Sequence, residues 1–440
     1  MRKRLFFTLL AVTGLVAASI AQTAPAEIKY RRSSLHTMIV ESEKFPQKET
    51  ILNAFNNAPF PDKYNNHVIG DKSFDPANYK LTKEEMGTLY KEQSKVGAFA
   101  TSNADIKIDS ASRELPLKIL KYLGENKIAN KLVAKWFNRK DDGSFDMALI
   151  GERGSYNATD MEANIAKGAA RGTASLADAG IELIGNTFVV ISKFNFVSNE
   201  ITAAIVRDAA KIAAYKLSVP ALQTAAVKAA DEAYEKAKEG YSVWTTSYLY
   251  KLVWNDSVEA VFYNDLWMDK NNIDPKKKEA FDNSDLFTLE YIGDEKASGL
   301  VLYTAKEKRT EEQVIEVATI RSIDAVYSKL QKKYDVFKPK IPLFSGVPIT
   351  AKIGMKEGLE GDEKFEVLEQ TIDPKTGLTS YVSKGTITVD KDLIWDNRFN
   401  AGDEPVVEGA TGPDPKIALG ATTFKGGKKF YPGMLIKQMK

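Results

Sequence analysis

From Trp244 to Trp254 the side chains alternate. Trp244, Thr246, Tyr248, Tyr250, Leu252 and Trp254 occupy one set of positions, and Thr245, Ser247, Leu249, Lys251 and Val253 the other. A period of two places each set on its own face of an extended strand. Asn255-Asp256-Ser257 reads as a turn, so residues 242–267 are predicted to form a β-hairpin with a row of aromatic side chains on one face.

Other stretches follow the helical period. From Leu115 to Phe137 apolar residues recur at steps of three and four, with Gly124 as a break between two helices. Residues 159–184 carry a narrow stripe of small and apolar side chains. Residues 200–239 are Ala-rich and helical, divided by Pro220. Thr82 with Glu85, and Thr310 with Gln313, have the spacing of capping boxes, the second opening a long helix whose face is Val317, Ile320, Ile323, Tyr327, Leu330, Tyr334 and Phe337. Strands are predicted at SFDMALIGE, NTFVVISKFNFV, LFTLEYIG and GLVLYT, so that 144–197 reads as strand, helix, strand. Residues 22–80 read as irregular, interrupted by five prolines, with one short helix near Glu49–Phe55.

After PKIP at 339–342 the pattern changes. KFEVLEQTI and TSYVSKGTITV flank the turn sequence DPKTG, and LIWDNRF, ATTF and GMLIKQ read as further short strands. The predicted fold class is therefore multidomain α+β or α/β. The expected divisions are a signal peptide over 1–21, a mainly helical and irregular region over 22–126, a central α/β module over 127–338 and a small β-barrel or sandwich over 339–440. The module would have a mixed or antiparallel sheet and a helical insertion.

The first 21 residues change the charge argument. Arg2, Lys3 and Arg4 precede an apolar run from Leu5 to Ile20, and Ser19 and Ala21 supply the small residues of a cleavage site before Gln22. The run is 16 residues, short of the ~18–20 of a spanning helix. Cleavage would remove three of the 61 basic residues and no acidic one, leaving 58 against 59 and a formal charge of −1. A near-neutral chain offers no electrostatic footprint for nucleic acid. The expected location is the periplasm or beyond, with no transmembrane helix after cleavage. Cysteine is absent, which removes disulfides, thiolate metal ligands and Cys nucleophiles together.

The sequence carries no recognisable catalytic motif. There are two histidines, His36 and His67, both in the Pro- and Asn-rich N-terminal part, where a surface or turn role is expected. HExxH, GxSxG, GxxxxGK[ST] and GxGxxG are missing, and the acidic loops at 141–146 and 269–274 depart from the EF-hand pattern and read as solvated turns. No catalytic residue, metal or cofactor is implied. The aromatic row of Trp244, Tyr248, Tyr250 and Trp254 is the one candidate ligand surface. It reads first as core beneath the Ala-rich helices or the long 310–337 helix, next as a sugar-stacking platform, and last as a membrane hairpin.

RRSSLHTM, FPDKYNNH, GSYNATDMEANIAKGAARG, LADAGIELIGNTFVV, LVWNDSVEAVFY, KFEVLEQTID and FYPGMLIK together resemble a group of uncharacterised exported proteins of Gram-negative cell envelopes. At the level of fold, LADAGIELIGNTFVVISKFNF with YLYKLVWNDSVEAVFY is similar to the periplasmic α/β module of curli-secretion and flagellar-assembly-T proteins, and GMKEGLEGDEKFEVLE with SKGTITV to the small β-domain that ends the latter. That group brings no known activity; the signal, the missing catalytic motifs and the fold-level likeness together point to a non-enzymatic envelope component that binds other envelope proteins or glycan. Two readings stand beside it: an exported hydrolase acting on glycan or peptide through carboxylates, and an envelope-associated oligomer using the 242–267 hairpin.

Overall fold

The computed structural model describes residues 30–86, 110–156, 183–301, 309–372, 379–403, 414–427 and 430–439. Its centre is a mixed six-stranded sheet in the order β2-β1-β4-β5-β6, with β3 also paired to β1. The strands are β1 (Ser34–Val40), β2 (Asn65–Asn66), β3 (Ser73–Phe74), β4 (Thr187–Ser198), β5 (Tyr241–Leu252) and β6 (Leu289–Val301). β1 runs parallel to β4, whereas β4, β5 and β6 are antiparallel neighbours. The sheet thus crosses the expected division at 126/127, because SLHTMIV, read as irregular, is its second strand. The two strands expected at 286–293 and 299–304 are one long β6 as far as Val301, with 302–304 outside the described residues, and its register shifts opposite Leu249 and Tyr250.

Both faces of the sheet are covered. Leu35, Phe188, Val190, Val243, Leu249 and Ala297 pack against α1 (Lys48–Asn57) and the long C-terminal helix Glu311–Lys333. The opposite face, with Met38, Val189, Ile191, Tyr248 and Tyr250, packs under α2 (Ser110–Glu125) and α3 (Ile128–Trp136). These two helices meet at Lys127, which has a positive φ of 49°, just past the predicted break at Gly124.

Two predicted strands are helices. SFDMALIGE becomes α4 (Ala148–Tyr156), opened by Asp146 Oδ1 accepting the Ala148 amide at 3.0 Å. No strand, helix, strand unit therefore starts at 144, and the 159–184 stripe falls outside the described residues apart from its last two positions. The second half of the 242–267 hairpin is likewise helical. Asn255 Oδ1 accepts the amides of Ser257 and Val258, starting α7 (Asp256–Val261), which a π-turn over Phe262–Leu266 continues. Between β4 and β5 come α5 (Asn199–Ala214) and α6 (Pro220–Ala237), with Pro220 in the first turn of the second helix, where its missing N–H costs nothing. After α8 (Pro275–Asn283) and β6, the predicted capping box at Thr310 is formed in both directions and opens α9 (Glu311–Lys333). The Thr82–Glu85 box is formed too.

The segment after PKIP closes into a barrel of six strands in the order β10-β11-β8-β7-β12-β9. They are β7 (Ile341–Gly346), β8 (Ile349–Ala351), β9 (Lys364–Ile372), β10 (Thr379–Val389), β11 (Thr422–Gly426) and β12 (Leu435–Gln438). Its interior holds Leu343, Ile353, Phe365, Val367, Ile387, Ile394, Phe424 and Ile436. LIWDNRF is not a strand. It is a loop that carries an isolated bridge between Trp395 and Gly354 and is further held by backbone bonds such as the Thr423 amide to the Leu393 carbonyl at 3.0 Å.

Candidate functional site

The aromatic row does not form one surface. Tyr248 and Tyr250 are buried under α2 and α3, not under the Ala-rich helices or α9 as expected. Trp244 lies at the other end of β5 and is 49% exposed. Trp254 lies beyond the end of the strand, half-buried against Phe137, Phe262 and Phe287 in a separate aromatic core. With α7 in place of a second strand, neither a stacking platform nor a membrane β-hairpin is present at 242–267.

Both histidines are fully buried, contrary to the surface role expected of them. His67 stacks on Trp136 with ring centres 4.8 Å apart and donates from Nε2 to the Leu132 carbonyl at 2.9 Å. Its Nδ1 then accepts from Arg153 Nη1 at 3.0 Å. His36 accepts the Ile69 amide at Nδ1. Burial pushes the His36 pKa down to about 4 and that of His67 well below its ordinary value, where the Arg153 charge adds to the effect. Both imidazoles are neutral packing groups in the protein interior.

An open cavity lies elsewhere, between the sheet unit and the barrel. Its volume is about 550 Å³. Asp62 and Lys63 enter from the loop after α1. Lys352, Lys356 and Glu357 come from the turn after β8, and Trp395 to Arg398 from the loop between β10 and β11. Bonds between the two units hold the walls in place. Lys63 Nζ donates to the Lys352 carbonyl at 3.0 Å, Ser328 Oγ to the Glu357 carbonyl at 3.1 Å, and Arg321 to the carbonyls of Phe399 and Asn400 at 2.9 and 3.1 Å.

The lining is a set of satisfied charges. Glu357 Oε2 accepts the Gly354 amide at 2.7 Å and Asn397 Nδ2 at 2.8 Å, while Asn397 Oδ1 accepts the Lys356 amide at 2.8 Å. Arg398 forks onto Asp396 at 2.9 and 2.7 Å, the geometry of a strong charge-assisted pair. Burial pushes the Asp396 carboxyl up, and the Arg398 hydrogen bonds more than offset that, holding it below the usual aspartate range. Burial raises Asp62 as well, and Lys63 outweighs it, so this carboxyl also ends low. One nearby carboxyl behaves differently. Asp324 on α9, 3.8 Å from Lys356 Nζ, is pushed by burial up to about 7, although it does not line the cavity.

Gly354 sets the shape of the wall. A Cβ there would sit 2.1 Å from the Trp395 carbonyl oxygen, the same oxygen that accepts the Met355 amide at 3.0 Å. Neither backbone can retreat without opening the cleft. We expect Gly354→Ala to cost about 1–3 kcal/mol, read as a lowered melting temperature. An unchanged melting temperature would show that this close approach does not hold the wall.

Among the described residues no group of three or more His, Asp or Glu side chains is placed to hold a metal, and no helix is long and apolar enough to cross a membrane. The acidic loops flagged by their composition are turns: Asp142 Oδ1 accepts from Ser144, and Asp269 Oδ1 from the Asn271 amide. The cleft escaped sequence reasoning because its residues come from three distant segments, none with a motif. The only local sign was the polar and aromatic run WDNRFN within a stretch read as a strand. Neither a family model, a curated protein nor a solved structure matches the chain.

Proposed function

We propose that the chain is an exported, non-enzymatic component of the cell envelope, and that it binds an envelope glycan in the cleft between sheet unit and barrel. The observation that carries this is the preformed lining. Trp395 is flanked by Lys63, Lys356, Asn397 and Arg398, and each lining carboxylate is already held by a cation or an amide. A flat indole beside fixed donors and acceptors suits the apolar faces and hydroxyls of a sugar. Four cations against three carboxylates make the lining tolerant of a ligand's own carboxylate. The volume lies within the ~300–1,000 Å³ of ligand pockets. Asp62 and Asp396, held low, are poor proton donors, which counts against general acid chemistry from either.

The hydrolase reading keeps one observation, the near-neutral carboxyl of Asp324 behind Lys356. A retaining or inverting mechanism would need that group to reach the cleft beside a second free carboxylate, and Glu357 is fixed by two donors instead.

The test is retention on an array of envelope glycans. Trp395→Ala and Lys356→Gln are each expected to weaken binding about tenfold or more, or ~1.4 kcal/mol, with the fold intact by circular dichroism. Full-strength binding by both variants would remove the cleft from the function. Glycan cleavage abolished by Asp324→Asn would replace this reading with the hydrolase.

A further inference from the structure

We propose that the tip of the α5–α6 hairpin seats in the headgroup region of an anionic lipid bilayer. The hairpin leaves the sheet at Ser198, whose hydroxyl accepts the Glu200 amide, and returns at Tyr241. Its base is tied by Asn199, which donates from its amide to the Gly240 carbonyl and from Nδ2 to the Glu239 carbonyl, and accepts from Ser242 Oγ. Beyond that base, among the described residues, the two helices pack mainly on each other. With 16 and 18 residues at ~1.5 Å per residue, they project by roughly 25 Å.

The far end is apolar and uncovered. Ile212, Tyr215, Leu217, Val219 and Leu222 are between 40 and 63% exposed, on one turn and the helix ends beside it. Scattered exposed apolar residues need no explanation, but five gathered on a projecting tip mark an interaction surface.

Charge decides what that surface meets. From 209 to 230 the only charged residues are Lys211, Lys216 and Lys228, with no Asp or Glu among them. Lys211 pairs with Asp231, and Lys228 with Glu232, each in the direction of the base. The acids Glu200, Asp208, Asp231, Glu232, Glu235 and Glu239 all lie nearer the sheet. Lys216 stands between Tyr215 and Leu217. A dry protein pocket that took those two side chains would have to bury its ammonium too, at a cost of several kcal/mol unless it were paired (~2–7 even for a neutral polar group). A bilayer surface accepts all three: aliphatic side chains below the headgroups, Tyr at their level and Lys against phosphate. A convex tip also suits a deformable lipid surface better than a rigid partner.

The competing occupant is a second copy packing along α5, since Ile201 and Ile205 extend the apolar stripe toward the base. Exposed Asp208 interrupts that stripe, and it separates the base isoleucines from the tip.

The test is co-sedimentation of the full chain with vesicles of phosphatidylethanolamine and phosphatidylglycerol, beside vesicles of phosphatidylcholine alone. Preferential binding to the anionic vesicles is expected. Leu217→Glu with Leu222→Glu should lower that partition about tenfold or more, with an unchanged melting temperature because both side chains are exposed. Residues 1–21 are identical in the two proteins, so a difference belongs to the tip. Equal partition of the variant, or no binding to either vesicle, overturns the proposal. A wild-type oligomer that the variant dissolves, seen by sedimentation velocity without lipid, assigns the tip to a second copy instead.

Discussion

Replacing Trp136 with Ala should destabilise the protein by about 3–5 kcal/mol, the range for deleting a buried aromatic. The indole is completely buried and ties together parts of the fold that are distant in sequence. Its Nε1 donates to Thr187 Oγ1 at 2.8 Å at the start of β4, and its ring stacks on His67. The Arg153 guanidinium from α4 lies 4.5 Å above it, a partly buried cation–π contact. Arg153 in turn donates to Ser34 Oγ at the start of β1 and to the Asn66 carbonyl in β2. Removing the indole leaves a cavity between these elements and a half-buried cation without its aromatic face. Trp136→Phe keeps most of the volume and loses only the N–H bond, and is expected to cost about 1–3 kcal/mol. Urea midpoints of the two variants check both. A Trp136→Ala protein within 1 kcal/mol of wild type (less than the ~3–5 expected) would mean that the sheet ends are held by other contacts.

The sequence made this architecture legible where one period dominated. The apolar run of β4, the alternation of β5, the split at Pro220 and the capped helix α9 follow directly from side-chain spacing and turn chemistry. The β9–β10 pairing was legible from the two strand patterns, with the DPKTG turn between them outside the described residues, though closure of the barrel depends on β9 meeting β12, a pairing of segments about seventy residues apart. The errors share a cause. In SVEAVFYNDLW the aromatic and β-branched content favours a strand, yet Val258, Phe262 and Leu266 are four residues apart and all buried. Helical spacing and the Asn255 cap outweighed propensity, as tertiary packing often does. Asp146 did the same for SFDMALIGE. β1 was missed for the opposite reason. SLHTMIV has a buried His36 and Ser34 at positions where alternation predicts solvent, because a strand covered on both faces need not alternate. The cleft was not legible beyond the run WDNRFN. Its walls are brought together by the packing of the barrel on α9, and no local pattern encodes that.

Asp324→Asn should stabilise the protein at pH 8 and lose that advantage as the solution is acidified. The Asp324 side chain is 16% exposed, and burial lifts its pKa from 3.8 to about 7, with Lys356 opposing the shift and the charges of Glu357 and Asp62 adding to it. The folded state therefore holds a proton that the unfolded chain releases. This contributes about 4 kcal/mol of stability that is present below pH 3.8 and lost as the pH rises through 7. Asparagine mimics the protonated acid at every pH, so the variant keeps what the wild type loses. The histidines work in the opposite direction. His36 drops from 6.5 to about 4, so its contribution of about 3 kcal/mol is present above pH 6.5 and lost as the pH falls toward 4. His67 is lowered for the same first reason, burial. Between pH 6.5 and 4, proton uptake by folded Asp324 thus offsets uptake by one unfolded histidine, and the wild-type stability curve is flattened there. In Asp324→Asn that offset is gone and the loss of stability on acidification should be steeper by about one proton, or ~1.4 kcal/mol per pH step of one. Urea titrations from pH 8 to pH 4 measure it directly. A variant no more stable than wild type at pH 8, or an advantage that does not shrink toward pH 4, would show that the Asp324 carboxyl is ionised in the folded protein at neutral pH.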